Sequence, residues 1–233
     1  MRILAIEASA VAASAAVTDN GVLLAEEITQ TELTHSVTLL PMVDSVIKKS
    51  SLSLSDIDIV AVTEGPGSFS GLRIGVTTAK TIAYAAGKKT VGVSTLLALA
   101  AALPFADKII CPIMDARRDQ VYNAVYRPEN GDFKTVREPR AVSAEELAED
   151  IKSIGEEVIF IGDGVPRFKE YFINALGKAT YFAPAHLCAA RASNVAFIAE
   201  REKDKAKDPN DLNPVYLRLS QAEREYNEKK GKE

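Results

Sequence analysis

Apolar and polar residues follow two rhythms along this chain, one of strands and one of helices. Ile3–Ile6 is a short apolar run closed by Glu7-Ala8-Ser9-Ala10, which reads as a buried strand and a polar turn. Ser14–Thr18 and Val22–Thr29 flank Asp19-Asn20-Gly21, a hairpin signal, so the opening predicts a three-stranded meander. Leu33–Lys49 then changes to helical spacing, with Leu33, Val37, Leu40 and Ile47 near one face and Leu39, Val43 and Val46 beside it. Thr31 or Thr34 stands where a cap belongs, and Pro41, which has no N–H, predicts a kink or a break. Ile57–Val62 reads as a buried strand. Gly65-Pro66-Gly67 turns the backbone into a helix over Gly71–Ala86, capped by Ser68 or Ser70.

Within that helix Gly71, Gly75, Ala79 and Ala83 recur every four residues and so share one side. Glycine there costs about 1 kcal/mol of helix stability relative to alanine. A sequence that accepts this cost has something packed closely on that side. One reading is a surface for a partner helix, with the stripe facing outward beside Leu33–Lys49. The other is that the stripe faces the chain's own sheet. The free N–H groups at the helix start suit an anion, but no Gly-Lys-Ser/Thr follows the turn, which excludes a P-loop.

Further on, Thr90–Val93 is a short strand, and Ser94 caps an Ala/Leu-rich helix through Leu103. Pro104 ends it and marks a boundary, giving lobes over 1–104 and 105–220. The second half repeats the opening. Lys108–Met114 is a strand, Asp115-Ala116-Arg117-Arg118-Asp119 a charged turn, and Gln120–Tyr126 the returning strand, with another at Phe133–Val136. Ser143 opens a helix to Ile154 with a capping-box pattern. A strand at Val158–Ile161, a helix over Pro166–Leu176, a strand near Tyr181 and a helix over Ala189–Lys203 follow, then an extended Pro214–Arg218 that returns toward the first lobe. Residues 221–233 are highly charged and are expected to be disordered. Two related α/β halves with mixed sheets are expected, with a single doubly wound domain as the alternative.

The formal net charge of −4 gives no electrostatic case for nucleic-acid binding by the bare chain. Cys111 and Cys188 lack metal-site spacing and fit reduced thiols. Met1–Glu7 carries no signal pattern and no stretch reaches membrane length, so a cytoplasmic protein is expected. Glu7 and Asp115 each follow the first strand of a half. Carboxylates so placed can organise Mg²⁺ and water near a phosphate, with Ser9 in the same turn. No glycine in that turn lets a phosphate reach the backbone, which weakens this reading. His35 has Leu39, not a second histidine, one helical turn later, so no metal pair is expected, and His186 is the only other histidine. Arg73, Arg117 and Arg118 suit phosphates or an acidic partner.

Five stretches together resemble one family: Ile3–Ser9, His35-Ser36-Val37-Thr38-Leu39-Leu40-Pro41, Gly65–Gly75, Asp115–Arg118 with Val121-Tyr122, and Pro214–Arg218. The chain resembles the TsaB family, whose members are required to make threonylcarbamoyladenosine in tRNA. The resemblance implies the two-lobed fold of actin, sugar kinases and Hsp70. It implies a non-catalytic scaffold, a paralogue of the transferase TsaD, whose metal-binding histidines lie on the helix matching that of His35. It implies TsaD and the ATPase TsaE as partners, a homodimer when TsaD is absent, and tRNA reached only through the complex. No cofactor of its own is implied; ATP is used by the complex. TsaD is expected on His35, Leu39, Gly71, Gly75, Ala79 and Ala83. The alternatives are an autonomous metallopeptidase and a small kinase or ATPase of the same fold.

Overall fold

The computed structural model describes residues 1–30 and 34–218. Thr31, Leu33 and the charged end 221–233 therefore lie outside the described residues. The meander forms as the pattern predicts: β1 (Arg2–Glu7), β2 (Ala13–Asp19) and β3 (Val22–Thr29) pair antiparallel. Asn20 and Gly21 supply the positive φ of the β2–β3 turn, at 46° and 78°. Next come α1 (His35–Lys49), β4 (Ile59–Gly65), α2 (Phe69–Ala86) and β5 (Lys89–Ser94). The first sheet has the order β3-β2-β1-β4-β5, with β4 parallel to β1 and β5 parallel to β4.

Both faces of this sheet are covered, which is why β1 and β4 are apolar without interruption. Side chains alternate across a strand. Leu4 and Ile6 pack with Leu39, Val43 and Val46 of α1 and Val76 and Ala79 of α2. Ile3 and Ala5 pack on the opposite face with Val195, Ala196 and Ala199 of α6 (Ala192–Arg201), so the last α-helix among the described residues returns to the first strands. The Ser14 hydroxyl accepts from Ala192 N at 2.8 Å, and Arg191 pairs with the buried Glu26 carboxylate, fixing the start of α6 there.

The short α3 (Thr95–Ala100) connects to a second sheet of β6 (Ile109–Asp115), β7 (Gln120–Glu129), β8 (Asp132–Ser143), β9 (Val158–Ile161) and β10 (Thr180–Phe182). Its order, β10-β9-β6-β7-β8, repeats that of the first sheet once each half is numbered from its own start. Two further helices, α4 (Ala144–Ile154) and α5 (Val165–Leu176), occupy the places of α1 and α2. Phe172 and Phe168 of α5 and Leu147 of α4 cover Cys111, Ile113 and Phe160; α3 covers Ile110 and Met114 on the other face. The fold is thus the two-lobed, actin-like α/β class with mixed sheets. No helix among the described residues is long and apolar enough to cross a membrane.

Four expectations change. Of the kink or break expected at Pro41, the break does not occur: α1 runs through it. The carbonyl that loses its donor there is that of Val37, and both Val37 and Pro41 are exposed. The Ala/Leu helix ends at Ala100 rather than Leu103, and α6 is shorter at both ends than Ala189–Lys203. β8 spans 12 residues rather than the four of Phe133–Val136. It follows Asn130-Gly131, whose φ values of 55° and 85° make a second hairpin turn that an Asn-Gly signal announces.

Candidate functional site

Three of the family-like stretches, Ile3–Ser9, His35–Pro41 and Gly65–Gly75, meet at the β1–β2 turn. Glu7 ends β1 fully buried, and its Oε1 accepts from Ser9 N at 2.7 Å and Ser9 Oγ at 2.5 Å. Burial raises the Glu7 carboxyl above its ordinary value, opposed by hydrogen bonds from Ser9 and Thr63 and by the nearby His35. The opposition is incomplete: Oε2 and Thr63 Oγ1 are both buried, and neither has a well-formed hydrogen-bond partner. His35, at the start of α1, holds the same turn through Nε2 and Ala10 O, 2.8 Å apart. A carbonyl can only accept, so Nε2 carries the proton and the ring's tautomer is fixed.

The other side of the turn is held by the start of α2. Ser68 N donates to Ser9 O at 2.7 Å, and Ser68 Oγ caps the helix by accepting from Gly71 N at 3.4 Å. Gly67 and Gly71 have no room for a side chain, because a Cβ there would strike Ser9 O and Ala8 O. At Gly75 a Cβ would lie 3.2 Å from Ala8 Cβ and 3.6 Å from Val62 Cγ2. Gly71, Gly75, Ala79 and Ala83 are all buried against the chain's own first turn and sheet. The outward-facing stripe is therefore corrected: the close neighbour that the glycines admit is this lobe's own backbone.

The phosphate contacts expected of Glu7 and Ser9 are corrected for a related reason. Both side chains are closed off from solvent, are bonded to each other, and lie under the Gly67–Gly71 backbone. Asp115, at the matching position of the second lobe, is partly exposed but engaged. It accepts from Arg117 N at 2.7 Å and pairs with Arg167 at 2.8 Å. Arg167 also pairs with Asp119 at 2.8 Å; nothing near it in sequence announced that role. His186 lies in a short 3-10 turn, Ala185–Leu187. Among the described residues no group of three or more His, Cys, Asp or Glu could hold a metal ion.

On the outward side α1 and α2 leave a groove of about 460 Å³. Leu39, Leu40, Ile74 and Ile82 give it an apolar lining, with Thr77, Thr81, His35 and Arg73 also lining it. Leu39 is buried, whereas Leu40 is 59% exposed and Val37, on the same helix, 62%. Two of the expected partner residues, His35 and Leu39, thus belong to the groove, and the four small residues of the stripe do not.

The family model for TsaD, tRNA N6-adenosine threonylcarbamoyltransferase, matches residues 23–226. The tRNA threonylcarbamoyladenosine biosynthesis protein TsaB of Bacillus subtilis is 36% identical over 223 residues, covering 96% of each chain. Its namesake from Escherichia coli is 36% identical over 169 residues, covering 70% of this chain and 72% of that protein. A crystal structure from Pseudomonas aeruginosa, described as similar to the peptidase YeaZ, superposes with a TM-score of 0.80 at 23% identity, over 93% of this chain and 99% of that one, which supports the fold. With its glycine-clamped first turn, its two matching lobes and these relatives, the chain belongs to the TsaB family and works in tRNA threonylcarbamoyladenosine biosynthesis.

Proposed function

We propose that this chain is a non-catalytic subunit that supports a TsaD-type transferase by receiving it on the groove between α1 and α2. The observation that carries the reading is the groove itself: Leu39, Leu40, Ile74 and Ile82 line it, with Leu40 exposed, beside Thr77 and Thr81 of α2. Leu40 and Val37 stand exposed on α1 beside this groove, apolar surface that an incoming helix would cover. The occupant is a pair of helices from TsaD, the paralogue whose family model this chain matches. When TsaD is absent the same face pairs with a second copy across a twofold axis. TsaE joins the assembly and brings the use of ATP, tRNA is reached through the complex, and all of this takes place in the cytoplasm. The lack of catalysis is supported by two features. His35 is committed to Ala10 O, and both first-strand carboxylates are committed within the chain.

The test is co-purification of the tagged chain with TsaD from the same source, for wild type and for Leu40→Asp with Thr77→Arg. Both positions are exposed, so the fold should be retained. The double variant should lose TsaD and self-association together, and should fail to support threonylcarbamoyladenosine formation. A variant that still holds TsaD overturns the docking site. Peptide or ATP turnover by the purified chain alone overturns the non-catalytic role.

A further inference from the structure

The segment after α6 is bonded along the first lobe and then crosses to the second. Lys207 and Thr90 exchange two backbone hydrogen bonds of 2.9 Å. Lys80 Nζ donates to Leu212 O at 2.9 Å, and Leu212 is fully buried in the first-lobe core. Val215 N donates to Glu64 O at 2.6 Å, and Gly65 admits this approach, since a Cβ there would strike Val215 O. Tyr216 stacks on Phe69 with ring centroids 4.2 Å apart and planes 8° apart. Arg73 donates from Nε to the Tyr216 hydroxyl at 3.1 Å, and its guanidinium lies 5.7 and 5.9 Å from the two ring centroids. Leu217 then packs among second-lobe residues, and Arg218 Nη1 donates to Ala116 O and, at 3.3 Å, to Arg117 O.

The turn that Arg218 reaches has an unusual backbone. Arg117, Arg118 and Asp119 have φ of 62°, 55° and 57°, three successive side-chain-bearing residues in the left-handed region. Each pays a steric penalty that glycine would avoid, and such a run persists only where its surroundings hold it. Part of the hold comes from within the lobe: Asp115 Oδ1 accepts from Arg117 N, Arg167 pairs with Asp115 and Asp119, Gln120 N donates to Arg117 O at 3.2 Å and Ala116 N donates to Gln120 O at 3.0 Å. Arg218, on the strap formed by residues 214–218, adds a hold from outside the turn.

We propose that residues 214–218 are a latch between the lobes. Tyr216 anchors it in the first lobe, and Arg218 hooks the β6–β7 turn of the second and keeps that turn left-handed. The strap is too short for one end to move freely of the other, since a single residue separates Tyr216 from Arg218. Releasing the anchor therefore slackens the hook, and releasing the hook frees the strand-like contact at Val215. The lobes are held at one mutual setting by two motifs, Gly65–Arg73 and Pro214–Arg218, that meet only in the folded chain.

Amide hydrogen exchange on the full chain tests this, with Tyr216→Ala, Arg218→Ala and Arg218→Lys. Tyr216 stacks on Phe69 and accepts from Arg73, both in the first lobe. Tyr216→Ala should nonetheless speed exchange at residues 116–120 by about tenfold or more, while β1 and β4 stay protected. Arg218→Ala should speed exchange of the Val215 amide, whose hydrogen bond goes to Glu64 O, and Arg218→Lys, which keeps a cationic donor, should restore part of the protection. Unchanged exchange at 116–120 in a folded Tyr216→Ala overturns the latch. If Tyr216→Ala also loses protection in β1 and β4, Arg218→Ala decides alone: unchanged exchange at Val215 overturns the latch, and faster exchange supports it.

Discussion

Gly71→Ala and Gly75→Ala separate the packing of α2 from its helix propensity. Each substitution gains up to about 1 kcal/mol by replacing glycine in a helix. They differ in what the new methyl meets. At Gly75 it would lie 3.2 Å from Ala8 Cβ and 3.6 Å from Val62 Cγ2, a tight fit that a shift of a few tenths of an ångström relieves. At Gly71 it would lie 2.1 Å from Ala8 O. Relieving that overlap needs a movement of about 1 Å or more to approach ordinary contact at roughly 3.5 Å. The turn cannot easily give way, because Ser9 O is held by Ser68 N at 2.7 Å and Ala10 O by His35 at 2.8 Å. Overpacking of this kind costs about 1–3 kcal/mol, sometimes more. Gly71 lies in the first helical turn, where the propensity gain is smallest. The net expectation is a loss of about 1–2 kcal/mol for Gly71→Ala, or about 2–8 °C in Tm for a chain of this size. Gly75→Ala should stay within about 0.5 kcal/mol of wild type, the propensity gain offsetting the tight contact. Urea unfolding followed by far-UV circular dichroism reads both. Should Gly71→Ala prove as stable as Gly75→Ala, the clamp on the first turn is not what the glycine provides.

Three further outcomes follow from the same coordinates. Burial lifts the folded-state pKa of Glu7 above its unfolded value near 4.5, so wild-type stability falls as pH rises through that interval and then levels off; Glu7→Gln should gain on wild type above pH 4.5, with a gap that widens to a plateau, and thermal melts at pH 4, 6 and 8 that show a constant or shrinking gap would count against it. Phe172 is fully buried and stacks on Phe160 at 4.3 Å, so Phe172→Ala should cost about 3–5 kcal/mol in urea unfolding, and a cost under about 1 kcal/mol would mean that the second-lobe core does not rest on this pair. Ser143 Oγ accepts from Glu146 N at 3.1 Å at the start of α4, so Ser143→Ala should cost about 1 kcal/mol and Ser143→Asp should restore it, as measured by the same unfolding curves.

Much of this architecture is written in local pattern. The turn at Asn20-Gly21, the caps at Ser68, Ser94 and Ser143, and the uninterrupted apolar runs of β1, β4 and β9 each state a local preference that the fold keeps. The repetition of strand pair, polar turn and helix in both halves announces two lobes, because each half carries its own hairpin and its own buried strands. Pro41 shows where a local rule yields: the lost hydrogen bond does not end α1, where Val37 and Pro41 are both exposed.

Spacing alone could not orient the α2 stripe. Residues four apart share a side of a helix whatever that side faces. The choice between partner and sheet was made by the β1–β2 turn, which brings Ala8 O and Ser9 O onto Gly71 and Gly67. The docking groove follows from the same rotation of the helix, since turning the small residues inward turns Ile74, Thr77 and Thr81 outward. Side chains that meet across long stretches of chain were likewise invisible: Arg167 on Asp115, Tyr216 on Phe69, and Arg218 on the carbonyls of the β6–β7 turn. A linear pattern records which residues prefer burial or a turn, and these pairings depend on which surfaces two separately folded sheets bring together.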